Sequence, residues 1–264
     1  MPRLEEETVE ERESCPFCEG REARTPPETL ALGRDSGHAD APGWRVRVVP
    51  NLYPAFERQE VVIHSPRHAR TFAELEDAEV RSVADAWRLR VDAARADGFV
   101  YVHALVNEGR LAGASLPHSH SQLVWMRRPP PEVLAERAGE RLARLLAEER
   151  TGGTRVVLDP NGLLLTCPYA GRGPYELLIA PLVPEPDAFD SGLLAAALLL
   201  LREGIRRLRV VEGPVPWNAW VHTGDAWHLH VLPRLSVQAG IELGAGIYVN
   251  TLPPEAAAAA LRDA

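Results

Sequence analysis

The sequence predicts two copies of one mixed α/β unit, paired within a single chain as a pseudo-dimer. Three observations carry this. LLLTCPYAGRGPYELLIAPL (163–182) tracks RVRVVPNLYPAFERQEVVIHSP (45–66), with Glu176–Pro181 matching Glu60–Pro66 one residue shorter. A helical segment follows each copy, after Thr71 and after Asp190. Each half then reaches an alternating histidine pair, His118/His120 and His228/His230. Duplicated units of this kind pack with their sheets joined or facing.

The elements follow in order. EEETVEERES is acidic and poorly patterned, so residues 1–14 are expected to form a solvated tail. Ordered structure is expected to begin at CPFC (15–18), and after a stretch rich in Pro, Gly and charge, to resume at Trp44. WRVRVV and EVVIHS read as strands separated by a two-proline break. Thr71 and Glu74 are placed to cap a helix reciprocally, with helix-period apolar positions running to Val91. FVYVHALVNEG and SHSQLVWM read as two further strands around the small-residue loop RLAGAS. Pro129–Pro131 then open one long helix that Gly152-Gly153 stops.

Bulk properties exclude several function classes. With 264 residues, 45% hydrophobic and 25% charged, the balance is globular, and a net charge of −8 without a basic run argues against nucleic acid as a partner. All 29 basic residues are arginine, which removes Schiff-base and phosphate-loop lysine chemistry. The longest apolar run, Leu193–Leu201, falls well short of the roughly 20 residues a membrane span needs. No membrane association and a cytoplasmic location are therefore expected. Three cysteines make no disulfide framework.

Two constellations carry chemistry. The Cys15-Pro-Phe-Cys18 turn puts two thiolates on one ion, and a tetrahedral zinc needs two more ligands. His68 and His118 are candidates, though spacing alone does not select them over His38, His64 or His103, and a redox pair is the competing reading. In LPHSHSQL (116–123) a strand would project His118, His120 and Gln122 from one face and Ser119 and Ser121 from the other. Three polar groups in a row are costly to bury unpartnered, and the loop GRLAGAS just before them suits the approach of an anion.

NEGRLAGASLPHSHSQL, together with CPFC, SPRHARTFAEL and WHLHVLPR, resembles the galactose-1-phosphate uridylyltransferase family of the histidine-triad superfamily, from about Cys15 to the C-terminus. The resemblance implies an α+β fold of two histidine-triad-like halves, each an antiparallel sheet with helices, forming an intramolecular pseudo-dimer. It implies an N-terminal domain over 15–130, a connecting helix over 131–153 and a C-terminal domain over 154–264. It implies ping-pong transfer, in which a histidine attacks the α-phosphorus of a nucleotide sugar and sugar 1-phosphate leaves. His120 matches the nucleophile and Gln122 the group that hydrogen-bonds the phosphoryl oxygens. Cys15, Cys18, His68 and His118 match a zinc site. Asn51, Asn107 and Ser115 fall where the family contacts nucleotide or phosphate, and Glu242 and Asn250 near where it holds the sugar.

His222, His228 and His230, with Glu136, match a second metal site of some members, zinc or iron; a degenerate copy that only packs is the alternative. A carboxamide at Gln122, where histidine-triad hydrolases keep a third histidine, cannot deliver a proton, which favours transfer over hydrolysis. The family is often dimeric, so a homodimer is expected. Exchange of UMP between UDP-hexose and hexose 1-phosphate is the leading expectation. However, HSHSQ in place of HPHGQ is similar to the ADP-glucose phosphorylase branch, and the Lys and aromatic residue many members carry before the closing glutamate are absent from Ser236–Glu242. An ADP-sugar or dinucleoside polyphosphate phosphorylase, and a nucleotide-sugar-binding protein that has lost catalysis, are the alternatives.

Overall fold

The computed structural model describes residues 3–34, 37–137 and 141–264. Among the described residues ten antiparallel strands form one sheet in the order β1 (Leu30–Leu32), β2 (Val46–Pro50), β3 (Arg58–Ile63), β5 (His120–Met126), β4 (Tyr101–Glu108), β9 (Trp217–His222), β10 (His228–Pro233), β8 (Leu177–Pro181), β7 (Leu163–Thr166) and β6 (Val156–Leu158). The order is the same read inward from either edge. Two five-stranded halves meet at β4 and β9, where Leu105 lies opposite Trp220 and Asn107 opposite Asn218. The chain is thus the α+β pseudo-dimer expected, with its sheets joined edge to edge. The outermost strands β1 and β6 have three residues each, too few to show a period, and β1 falls in the stretch read as irregular.

Three helices cover one face: α2 (Asp77–Ala96), α5 (Leu194–Glu212) and α7 (Pro254–Arg262). Trp87 and Val91, Leu198 and Ile205, and Leu261 pack on Val48, Val62, Leu123, Leu165 and Leu229 of the sheet. Each such side chain contributes about 1.5–3 kcal/mol on burial. The α2 helix begins later than its sequence suggested. Thr71 caps only a short 3₁₀ turn, Phe72–Glu74, because Leu75 is extended; α2 starts after Glu76, whose N–H is accepted by Glu79 at 2.7 Å.

On the opposite face, Cys15, Phe17, Trp44, Val61 and Ile63 cluster over one half. Over the other half, Leu146 packs on Leu164, Leu178 and Ala180. The expected connecting helix is two helices, α3 (Pro131–Arg137) and α4 (Arg141–Gly152), which carries Leu146; residues 138–140 lie outside the described residues. The expected solvated tail is tied down over its described part, residues 3–14. Leu4 N–H donates to Pro214 O at 2.8 Å, and α1 (Val9–Ser14) is capped by Thr8 and delivers Glu11 to the Cys/His cluster.

Candidate functional site

Cys15, Cys18, His68 and His118 converge. The Cys15 Sγ to His118 Nδ1 and Cys18 Sγ to His68 Nδ1 distances are 3.4 Å, Cys18 Sγ to His118 Nδ1 is 3.8 Å, and all four donor atoms lie within 4.8 Å of one another. A tetrahedral ion with ordinary zinc bond lengths has donor separations of about 3.3–3.8 Å, so the set fits one. The far nitrogens agree. His118 Nε2 lies 3.0 Å from Ser65 O and His68 Nε2 lies 3.1 Å from Glu11 Oε1, so each N–H is spent on an oxygen and each Nδ1 lone pair faces the sulfurs. Burial, then the neighbouring Cys15, pushes the Cys18 thiol up to about 12, so a thiolate at Cys18 calls for a cation beside it. Phe17 of the same turn packs edge-on against both His118 and His120, with ring centroids 5.9 and 5.4 Å away.

His120 is buried, and its Nδ1–H donates to His118 O at 2.6 Å, which leaves the lone pair on Nε2. Burial holds its pKa below the usual imidazole range, so the ring is neutral near pH 7. Gln122, two residues on, shares its face. Its Oε1 accepts from Gln59 Nε2 at 2.6 Å. The intervening serines point into the helix-covered core. There His64, fully buried, bonds Ser119 Oγ through Nδ1 and Ser121 Oγ through Nε2, both at 2.9 Å, and Trp87 donates to Ser121 Oγ at 2.9 Å. HSHSQ therefore differs from HPHGQ in the core beneath the row, on the face opposite His120 and Gln122.

The other expected contact residues divide into two groups. Asn107 Oδ1 accepts from Asn218 Nδ2 at 2.7 Å, which turns its own NH₂ outward beside His120, with which it lines a small cleft. Asn218, unread in the sequence, comes from the other half by the seam pairing. Asn51 Oδ1 closes a turn on Tyr53 N–H at 2.9 Å, leaving its NH₂ for a ligand. Ser115 is exposed at the end of its loop. The amides of Ala112, Gly113 and Ala114 in that loop are bonded to Gly109 and Arg110 carbonyls, so these three do not receive an anion as the sequence suggested. Gly109 itself is required: at φ 85°, a Cβ there would stand 2.9 Å from Pro216 Cβ. Glu242 and Asn250 are not joined to His120 or Gln122 by a hydrogen bond or ion pair among the described residues. Glu242 caps the short helix α6 (Gly240–Ala245) through Ala239 N–H at 2.8 Å, and Asn250 lies beside Gly171.

The second cluster also converges: Glu136, His222, His228 and His230 place one donor each within 4.8 Å. His222 Nδ1 is 3.0 Å from Glu136 Oε2, His228 Nδ1 bonds Ala226 O at 3.1 Å, and His230 Nδ1 bonds Glu176 Oε1 at 3.3 Å. His230 Nε2 is buried with no hydrogen-bond partner among the described residues, as a nitrogen meant for a metal would be. Burial pushes Glu176 up to about 7.

The two halves correspond in strand register around their alternating polar rows. Gln122 lies opposite Val61 and Leu105, as His230 lies opposite Leu178 and Trp220. Ala104-Leu-Val-Asn-Glu-Gly109 also matches Ala219-Trp-Val-His-Thr-Gly224. So His120 corresponds to His228, Gln122 to His230, Asn107 to His222 and Gln59 to Glu176. The last pairing shifts the sequence match of Glu176 with Glu60 by one residue, because Glu60 faces Arg90 on the helix side. Between the two sites an open cleft of about 310 Å³ is lined by Leu105, Asn107, Asn218, Trp220, Arg172 and Arg234, among others.

Residues 54–129 match the family described as galactose-1-phosphate uridyl transferase, N-terminal domain. The chain is 28% identical to an ADP-glucose phosphorylase of Arabidopsis thaliana, over 95% of this chain and 82% of that protein. It is 29% identical to a galactose-1-phosphate uridylyltransferase of Streptomyces lividans, over 93% and 81%. Among solved structures, the Arabidopsis thaliana ADP-glucose phosphorylase with bound ADP-glucose superposes with a TM-score of 0.86 at 26% identity, covering 95% of this chain and 90% of that one.

Proposed function

We propose, from the premise that this chain belongs to the galactose-1-phosphate uridylyltransferase family in the wide sense that includes ADP-glucose phosphorylase, that it transfers a nucleotidyl group from a nucleoside diphosphate hexose through a covalent intermediate on His120. The observation that carries the reading is the neutral, buried His120, with Nδ1–H spent on His118 O and Nε2 free, beside a Gln122 whose oxygen is already engaged. Nε2 attacks the α-phosphorus, a P–N bond forms, and the bond to hexose 1-phosphate breaks. The acceptor oxygen then attacks the same phosphorus, and Nε2 departs with its lone pair. The NH₂ groups of Gln122, Asn107 and Asn51 donate to phosphoryl and nucleotide oxygens. No group in the row need deliver a proton, because a sugar phosphate leaves as an anion.

Cys15, Cys18, His68 and His118 would hold zinc, which when bound ties the CPFC turn to the nucleophile strand. Glu136, His222, His228 and His230 would hold a second ion, zinc or iron, through three nitrogens and an oxygen. ADP-glucose with phosphate as acceptor is the first substrate pair to try, given the relative covering 95% of this chain. UDP-glucose with a hexose 1-phosphate is the second, given the Streptomyces lividans relative. The test uses both sugar nucleotides labelled at the α-phosphate. The wild type should retain acid-labile label from one of them and His120→Asn should not; equal labelling of the variant would refute the assignment.

A further inference from the structure

The nucleotidyl reading says nothing of Gln59, yet its geometry settles which way Gln122 points. An amide has one accepting and one donating end, and a hydrogen-bond network must decide which end goes where. The backbone N–H of Ala55 donates to Gln59 Oε1 at 2.9 Å, and a backbone N–H can only donate. Gln59 therefore turns its NH₂ toward Gln122, and it does so at 2.6 Å from Gln122 Oε1. Gln122 is left with its own NH₂ as the end directed away from Gln59, and that nitrogen has no protein hydrogen-bond partner among the described residues. Donor and acceptor alternate along the chain Ala55, Gln59, Gln122, and what it presents at its end is a donor.

We propose that Gln59 is a positioning residue for nucleotidyl transfer: it locks the Gln122 carboxamide with NH₂ toward the phosphoryl oxygens. This rests on the reading of His120 and Gln122 given above. The other half supplies an internal comparison. There Glu176 occupies the Gln59 position and accepts from His230 at 3.3 Å, so the same place in the fold sets the opposite polarity on its neighbour. Gln59 also ties the row to Asn51, whose N–H donates to Gln59 O at 2.8 Å, so the nucleotide-side turn and the phosphoryl-side amide share one anchor.

Gln59→Glu brings that acceptor into the first half. One carboxylate oxygen keeps the Ala55 N–H, the other demands the Gln122 NH₂, and the amide turns its carbonyl oxygen to the phosphoryl group. The rate of label transfer to His120 should fall about 100-fold, the size of losing one oxyanion donor. Gln59→Leu, which leaves the amide unrestrained, should fall between Gln59→Glu and wild type, with nucleotide-sugar KM little changed. In a Gln122→Ala background Gln59→Glu should cost less than about 3-fold, because the group it misorients is gone. Equal losses in both backgrounds would mean that charge or misfolding is responsible and would overturn the proposal, as would wild-type rates for Gln59→Leu and Gln59→Glu. ¹⁵N side-chain amide spectra read the orientation without catalysis: the Gln122 NH₂ should acquire a hydrogen-bonded, downfield proton in Gln59→Glu, and an unchanged resonance overturns the lock. The two failures separate. A wild type that takes no label sinks the nucleotidyl reading, whereas a labelled wild type matched by Gln59→Glu sinks the role of Gln59.

Discussion

Replacing His64 with leucine tests whether the serines between the functional residues belong to the core. His64 has no exposure, and both ring nitrogens are bonded, Nδ1 to Ser119 Oγ and Nε2 to Ser121 Oγ, each at 2.9 Å. A neutral ring donates through one nitrogen and accepts through the other, so one serine receives a proton from His64 and the other gives one to it, while Trp87 N–H also donates to Ser121 Oγ at 2.9 Å. Leucine fills the space but leaves one hydroxyl without its acceptor and the other without its donor. At about 1–3 kcal/mol for each of the two buried groups left unmet, the loss is about 2–6 kcal/mol. At roughly 2–4 °C per kcal/mol for a chain of this size, Tm falls by about 4–24 °C. Ser119→Ala in the His64→Leu background should then cost about 1–2 kcal/mol less than it does in wild type, because the orphaned oxygen has been removed. Urea unfolding of the four proteins, each with saturating zinc, measures that difference. Additivity to within about 0.5 kcal/mol would refute the network.

Two further outcomes follow from charge and metal chemistry. Burial pushes the Glu28 carboxyl up, but hydrogen bonds from Arg34 and from fully buried Arg47 more than offset this and hold it at about 2, against 4.5 when unfolded. Its stabilisation is therefore complete above pH 4.5 and is lost as pH falls through about 2, so wild-type Tm should drop over that window more steeply than that of Glu28→Gln. In elemental analysis Cys18→Ser should lose one equivalent of metal and Glu136→Gln a different one; loss of both from either variant would contradict two independent clusters.

Much of this was legible in the sequence because period and pairing are local. Alternation alone put His118, His120 and Gln122 on one face, and the duplicated segments foretold a pseudo-dimer of two like halves, though not that their sheets join edge to edge. Whatever depended on contacts across the fold was not legible. Glu11 looked like one more acid in a charged tail, and nothing local marks it as the residue bonded to His68, 57 positions away. Gln59 sits in a strand as an ordinary polar residue until register brings it to Gln122. His64 was the converse case: an unexplained histidine in an apolar strand and two unexplained serines in another were one network.

The correspondence between halves also accounts for how one fold can give two different sites. At three equivalent positions the first half has Asn107, His120 and Gln122, and the second has His222, His228 and His230. A carboxamide offers NH₂ to an anion and binds a cation poorly, whereas a neutral imidazole offers a lone pair to a cation. Changing two carboxamides to imidazoles therefore converts a place suited to a phosphoryl group into one suited to a metal, provided a fourth donor is supplied, and Glu136 on α3 supplies it. The polarity of the supporting residue changes with it. Gln59 must donate for Gln122 to present NH₂, and Glu176 must accept for His230 to present Nε2. Asn107→His with Gln122→His should then still bind zinc weakly, since Gln59 offers position 122 a donor where the second half offers an acceptor; adding Gln59→Glu should raise the affinity in a competition titration with a chromogenic chelator. Equal affinity with and without Gln59→Glu would show that the supporting residue does not set what its neighbour binds.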